Sequence, residues 1–166
     1  MFDQLMQLVK QHAGDAIINN NAIPDVHNNA AIQDVTDQIF SGLKNQVTQG
    51  NFQQVISMFQ GNSNSIGSHP MTTQLISSIA VSLASKFGVS QQAAQNMAST
   101  LVPSVMQKLV HKTNDPTDTD FDLQSILSNF SGNSNFDIGS ILGQVTGNNQ
   151  QGGLGGLGNV LGKLFG

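Results

Sequence analysis

The chain contains no cysteine, tryptophan, tyrosine, arginine or glutamate, and only 10% of its residues are charged. Without cysteine it can form no disulfide, no thiolate-bound zinc site and no thiol nucleophile. It has six lysines against ten aspartates and no arginine, which gives a net charge of −4. That charge argues against broad contact with nucleic-acid phosphates.

Catalytic and cofactor signatures are missing as well. The sequence has no G-x-S-x-G nucleophile motif, no P-loop and no Rossmann fingerprint. The lack of glutamate also reduces the number of side chains that could act as general acids or bases. We therefore expect a protein that is not an enzyme and that has no cofactor.

Long hydrophobic runs are absent too. No stretch approaches the 18 or so apolar residues that a membrane-spanning helix needs. The first ten residues, MFDQLMQLVK, carry Asp3 where a signal peptide has positive charge, and no unbroken apolar segment follows. The sequence therefore predicts a soluble, cytoplasmic protein of the bacterial type.

Amides, glycine and aliphatic residues dominate what is present. Asn and Gln total 36 residues, Gly 17, and Leu, Ile, Val and Phe together 47. The apolar share is high enough for a packed core. The polar surface, in contrast, depends on amides and hydroxyls. A surface with little charge offers little electrostatic resistance to self-association.

Apolar residues recur three and four positions apart through the first 112 residues, which predicts helices and no strands. Breaks fall at Asn19–Asp25, at Gly50 and in the polar connector 61–69. The pattern allows the first helix to run on to Asn19. The five predicted stripes are Phe2, Leu5, Val9 and Ala13; Ile32, Val35, Ile39, Leu43 and Val47; Val55, Ile56 and Phe59; Leu75, Ile76, Ile79, Leu83 and Phe87; and Ala94, Met97, Ala98, Leu101, Val105 and Leu109.

The two central helices carry terminal signals. Pro70 suits the first position of a helix, Gly88 suits the position just after one, and Ser90 suits an N-cap. Pro103 lies inside the last stripe, where it must either kink the helix or split it. Together these features predict an all-α, multi-helix orthogonal bundle.

Beyond the bundle the sequence repeats itself. FDLQSILSNFSGN (121–133) and FDIGSILGQVTGN (136–148) share seven of thirteen residues, and each predicts a short amphipathic helix ending in glycine. We therefore divide the chain into a helical bundle domain of residues 1–112, two repeated helices in 113–150 and a Gly/Leu-rich tail, 151–166. The short helices are expected to pack against the bundle or to detach from it.

The stretch KFGVSQQAAQNMASTLVPSVMQKLV (86–110) resembles the YidB-like family, which comprises small helical bacterial proteins of unknown function. The segment IPDVHNNAAIQDV (23–35) and the Gly/Leu-rich end are also similar to members of that family. The resemblance implies an all-helical fold and supplies no catalytic residues to carry over.

Residues 84–101 also have the pattern of a helix-turn-helix, which makes DNA binding an alternative function. Gln91, Gln92, Gln95 and Asn96 could reach adenine edges from the second helix. However, a DNA-binding protein is positioned by phosphate contacts, and only Lys86 and Lys108 lie nearby. We favour a structural helix corner and expect nucleic acid not to be a partner.

Asp118, Asp120 and Asp122 are weak candidates for a cation site, because alternating carboxylates can hold Ca²⁺ in a loop. An EF-hand starting at Asp118 would need glycine at Leu123 and glutamate at Asn129, so the match fails. The alternative is a solvated loop in which Asp120 or Asp122 caps the next helix. The four histidines show no metal-binding spacing, and His12 and His111 are predicted to lie at helix C-termini.

The tail GGLGGLGNVLGKLFG (152–166) places apolar residues at helical spacing among seven glycines. Each glycine costs about 1 kcal/mol of helix propensity relative to alanine, so the tail should not form a helix alone in water. It is either a disordered end or a segment that folds on a partner. We predict docking on a second copy or on another protein, with peripheral membrane association as an alternative. The predicted interaction residues are Leu154, Leu157, Leu161, Leu164 and Phe165.

Overall fold

The computed structural model describes residues 1–61, 63–115, 117–118 and 121–131. Within these ranges the chain forms helices and turns and no strand, so the all-α prediction is confirmed. By contacts the chain divides into one unit, Met1–Phe136, and a second, Asp137–Gly166. All described residues belong to the first unit. Its α-helices are α1 Phe2–His12, α2 Asn28–Thr48, α3 Phe52–Gln60, α4 Pro70–Phe87, α5 Gln91–Thr113 and α6 Leu123–Ser131.

The corner between α4 and α5 follows the predicted terminal signals. Pro70 is the first residue of α4, and Gly88 ends it with φ +68°, a left-handed conformation that glycine adopts without steric cost. The Ser90 hydroxyl oxygen then accepts the backbone N–H of Ala93 at 3.2 Å and caps α5. These local features turn the chain sharply, so that α4 and α5 pack side by side.

Pro103 lies inside a single helix of 23 residues and does not split α5. It cannot donate a backbone hydrogen bond to the preceding turn. The hydroxyl of the next residue, Ser104, donates to the Thr100 carbonyl at 2.9 Å. The apolar stripe is buried on both sides of the proline, and this packing stabilises α5 as one continuous helix.

A further helical turn follows α1, and the connector predicted to be a loop contains a short helix. After α1 the chain makes one π-helical turn, Gly14–Ile18, with Ile17 buried; this agrees with a first helix that runs on towards Asn19. The polar connector, in contrast, contains the 3₁₀ helix Ser63–Ser68, which packs on α5. Ile66 is buried in that contact.

α2 is the helix against which most of the bundle packs, since α1, α3, α4 and α6 all contact it. Gly42 permits the approach of α4, because a Cβ at this position would lie 2.5 Å from Leu75 Cδ2. α6, the first of the two predicted repeated helices, packs on α2 and buries Phe130. The ring of Phe40 contacts Phe2 and Phe130 edge-on, at centroid distances of 5.6 and 5.0 Å.

Candidate interaction surface

The predicted interaction residues Leu154, Leu157, Leu161, Leu164 and Phe165 lie outside the described residues, as does the second of the two predicted helices, 136–148. Their role in docking therefore stays a prediction.

Asp118 and Asp122 each hold local structure together. Asp118 Oδ2 accepts a bond from Lys112 Nζ at 2.6 Å, and its Oδ1 accepts the Phe121 N–H at 3.2 Å. Asp122 Oδ1 accepts the Ser125 N–H at 2.9 Å and so caps α6, one of the two predicted alternatives. Asp120 lies outside the described residues. Within the described part of the chain, no group of three His or Asp side chains is placed to hold a metal ion.

The helix corner does not gather positive charge. Lys86 Nζ forms an ion pair with the carboxylate of Asp34, which is 5% exposed. Lys108 lies 17 residues beyond Gln91, about 25 Å along α5 at 1.5 Å per residue. The two lysines that could contact phosphates are thus far apart, and one of them already pairs with an aspartate. Gln91, Gln92 and Asn96 are exposed, and Lys86 is the lysine nearest to them in the sequence.

A cleft of about 200 Å³ lies between α2 and α4. We name it the α2–α4 cleft. Its floor is formed by the nearly buried side chains of Met71 and Leu75. The other described residues that line it are uncharged: Gly42, Asn45, Gln46, Gln49, Gln74 and Ser78. An apolar floor with an amide rim can hold an aliphatic side chain and bond to the backbone that carries it.

The exposed face of α4 extends the wall of this cleft. Val81, one turn beyond Ser78, is 59% exposed. The hydroxyls of Ser77 and Ser85 donate to the carbonyls of Thr73 and Val81, at 3.1 and 2.9 Å. Because these donors are satisfied within the helix, covering the face leaves few of them unpaired. The cleft and this face form one uncharged surface.

The profile of a family described as bacterial protein of unknown function (DUF937) matches residues 68–166. The chain belongs to this family. The match begins just before α4 and includes the α4–α5 corner, α6 and the tail. No curated protein and no solved structure matches the chain. None of the described helices is long and apolar enough to cross a membrane.

The DUF937 match covers only one wall of the α2–α4 cleft, because Gly42 and the amides of α2 precede residue 68. Sequence reasoning missed the cleft for a related reason: it depends on how two helices distant in sequence meet. Two signals could have pointed to it. Gly42 is a glycine inside a helical pattern, which often has a packing reason, and Val81 is an aliphatic residue off the apolar stripe of α4.

Proposed function

We propose that this protein is a non-enzymatic helical protein that self-associates, with the Gly/Leu-rich tail of one copy binding the α2–α4 cleft of another. One observation carries the proposal: an uncharged cleft with an apolar floor and an amide rim continues onto the exposed Val81.

The chemistry of the tail fits this surface. Its leucines, spaced 3-4-3 from Leu154 to Leu164, would place aliphatic side chains on Met71 and Leu75. Glycine has no side chain to shield its backbone N–H and C=O groups, and the rim amides can both donate to and accept from such groups. Only Lys163 is charged in the tail. Two weakly charged surfaces would meet with little electrostatic repulsion.

We also propose two more specific assignments, one of family and one of cellular location. Within its bacterial family, we place the chain among YidB-like proteins because of the residues from Lys86 to Val110. We further propose that the chain resides in the cytoplasm. Detection of the tagged chain in fractionated bacterial cells would test the location.

Size-exclusion chromatography with light scattering tests self-association in the full chain. We expect the mass of the wild type to rise above 17.6 kDa with concentration. Leu161→Asp should remain a monomer, because it places a charge where an aliphatic side chain must be buried. Asn159→Asp is the matched control, since it adds the same charge to the tail without removing a leucine, and it should assemble as the wild type does.

A wild type that stays at 17.6 kDa at every concentration would contradict the proposal. This result would also be obtained if the tail bound the cleft of its own chain. Equal behaviour of Leu161→Asp and Asn159→Asp would contradict the role of the leucines. If the wild type sedimented with lipid vesicles and did not assemble, the result would favour peripheral membrane association of the tail. The single lysine of the tail would then give little electrostatic help.

A further inference from the structure

A second cleft, of about 320 Å³, lies where the end of α1 meets the last turns of α5. We name it the histidine–lysine cleft. The described residues that line it are His12, Ser104, Gln107, Lys108 and His111. The α5 residues follow one another at three- and four-residue spacing and therefore share one face of the helix. His12, nearly a hundred residues away in sequence, reaches them because α1 packs on α5.

The charge of this cleft is opposite to that of the whole chain. Lys108 is a cation, each imidazole offers an N–H donor, and no carboxylate is among the described lining residues. His12 and His111 lie in the last turns of α1 and α5. In a chain with net charge −4, a gathering of three such groups is a site suited to an anion.

Asp115, four residues beyond His111 in the sequence, is hydrogen-bonded to another residue. Asp115 Oδ1 accepts the backbone N–H and the hydroxyl of Thr117, at 2.9 and 2.6 Å. Those two hydrogen bonds hold the pKa of Asp115 below its ordinary value, and the charges of His111 and Lys112 lower it further. Asp115 is therefore engaged by Thr117 and does not occupy the histidine–lysine cleft.

We propose that the histidine–lysine cleft binds the phosphate group of a phosphomonoester. Lys108 and the two imidazoles supply the cationic and N–H contacts that its oxygens require. The Ser104 hydroxyl already donates to Thr100, so its oxygen accepts from a hydroxyl of the ligand. The volume is that of a small-molecule site and exceeds what a bare phosphate ion fills. The ligand therefore carries a small organic part.

Titration of the full-length protein with glycerol 3-phosphate, followed by backbone amide NMR shifts, tests the site, with glycerol as the control that lacks the phosphate. We expect saturable shifts around Lys108 and His12 with the phosphate compound only. Lys108→Gln should weaken binding at least about tenfold, the effect of one charge-assisted hydrogen bond. Lys44→Gln, which removes an exposed lysine of α2, should change it less than about twofold. His12→Gln is the second test variant and should weaken binding in the same direction.

Vesicles of phosphatidic acid in phosphatidylcholine present the same phosphate on a lipid. If the wild type sedimented with these vesicles and Lys108→Gln did not, the ligand would be a lipid headgroup. If the wild type bound glycerol 3-phosphate and not the vesicles, the ligand would be a soluble phosphomonoester. The proposal is overturned if the wild type binds neither probe, or if Lys44→Gln weakens binding as much as Lys108→Gln. Neither result depends on self-association, because the histidine–lysine cleft and the α2–α4 cleft share no lining residue.

Discussion

Serine and threonine hydroxyls on α4 and α5 donate to carbonyl oxygens one turn earlier in their own helix. Ser77, Ser85 and Thr100 all do so, at 3.1, 2.9 and 3.0 Å. Such bonds slightly weaken a helix, yet they satisfy these three hydroxyl donors within the helix. A chain that is polar without being charged can therefore cover part of this surface at low desolvation cost.

The ion pair of Lys86 and Asp34 ties α4 to α2 and makes a prediction about pH. The hydrogen bond from Lys86 to the Asp34 carboxylate raises the pKa of the Lys86 ammonium above its ordinary value, and the charges of Asp34 and Asp37 act in the same direction. The folded-state pKa is thus higher than the unfolded one, near 10.4. The stabilisation is present below the unfolded pKa and is lost as pH rises through the folded value.

When the pH is raised from 9 to 11, we expect the urea midpoint of the wild type to decrease by more than that of Lys86→Gln. The variant has no ion pair to lose. Lys44→Gln retains the pair and should follow the wild type. Lysine 86 is 58% exposed, so the difference should be small. An equal fall in the wild type and Lys86→Gln would show that the pair adds nothing to stability.

At the scale of elements, the helices were predictable because their boundaries are local. Proline at position 70, glycine at 88 and serine at 90 each act on the backbone within a few residues. The 3₁₀ helix Ser63–Ser68 was not predicted. It is fixed by Ile66, a single apolar residue in a polar segment, and one residue makes no periodic pattern. Its burial depends on α5, which the local sequence does not specify.

The two clefts could not be predicted for the same reason. His12 and His111 were correctly predicted to lie near helix C-termini, but their convergence depends on how α1 crosses α5. The α2–α4 cleft depends on the approach at Gly42. Local rules give the elements, whereas sites between elements depend on packing between residues far apart in sequence.

The first repeated helix gives a test of how firmly α6 belongs to the bundle. Phe130 is fully buried and its ring packs edge-on against Phe40. Phe130→Ala should lower the free energy of unfolding by about 3–5 kcal/mol, the usual cost of truncating a buried phenylalanine. Asn129→Ala, at an exposed neighbouring position, should change it by less than about 0.5 kcal/mol.

Urea denaturation followed by circular dichroism measures both variants. If Phe130→Ala were no less stable than Asn129→Ala, α6 would be a detachable helix and not part of the core. The predicted boundary between the bundle and the repeated helices, at residue 112, would then coincide with the limit of the cooperative unit.

At the scale of the whole molecule, low charge links composition to the proposed behaviour. With only 10% charged residues and a net charge of −4, the chain has little long-range repulsion between copies. A tail that binds the cleft of a second copy is a contact between two different surfaces. Such contacts build rings when the rotation closes and open chains when it does not.

This head-to-tail contact can be tested by mixing two variants. Val81→Asp places a charge beside the α2–α4 cleft and leaves the tail intact, whereas Leu161→Asp damages the tail and leaves the cleft intact. Each variant alone should remain a monomer. Gln7→Asp adds the same charge to an exposed position of α1, which packs on α2 and α5, and should assemble as the wild type does.

The decisive measurement is the light-scattering mass of an equimolar mixture of Val81→Asp and Leu161→Asp. We predict a complex of twice the 17.6 kDa chain mass, because the intact tail of the first variant binds the intact cleft of the second. A mixture that stays at the monomer mass, while the wild type assembles at the same concentration, would contradict the account.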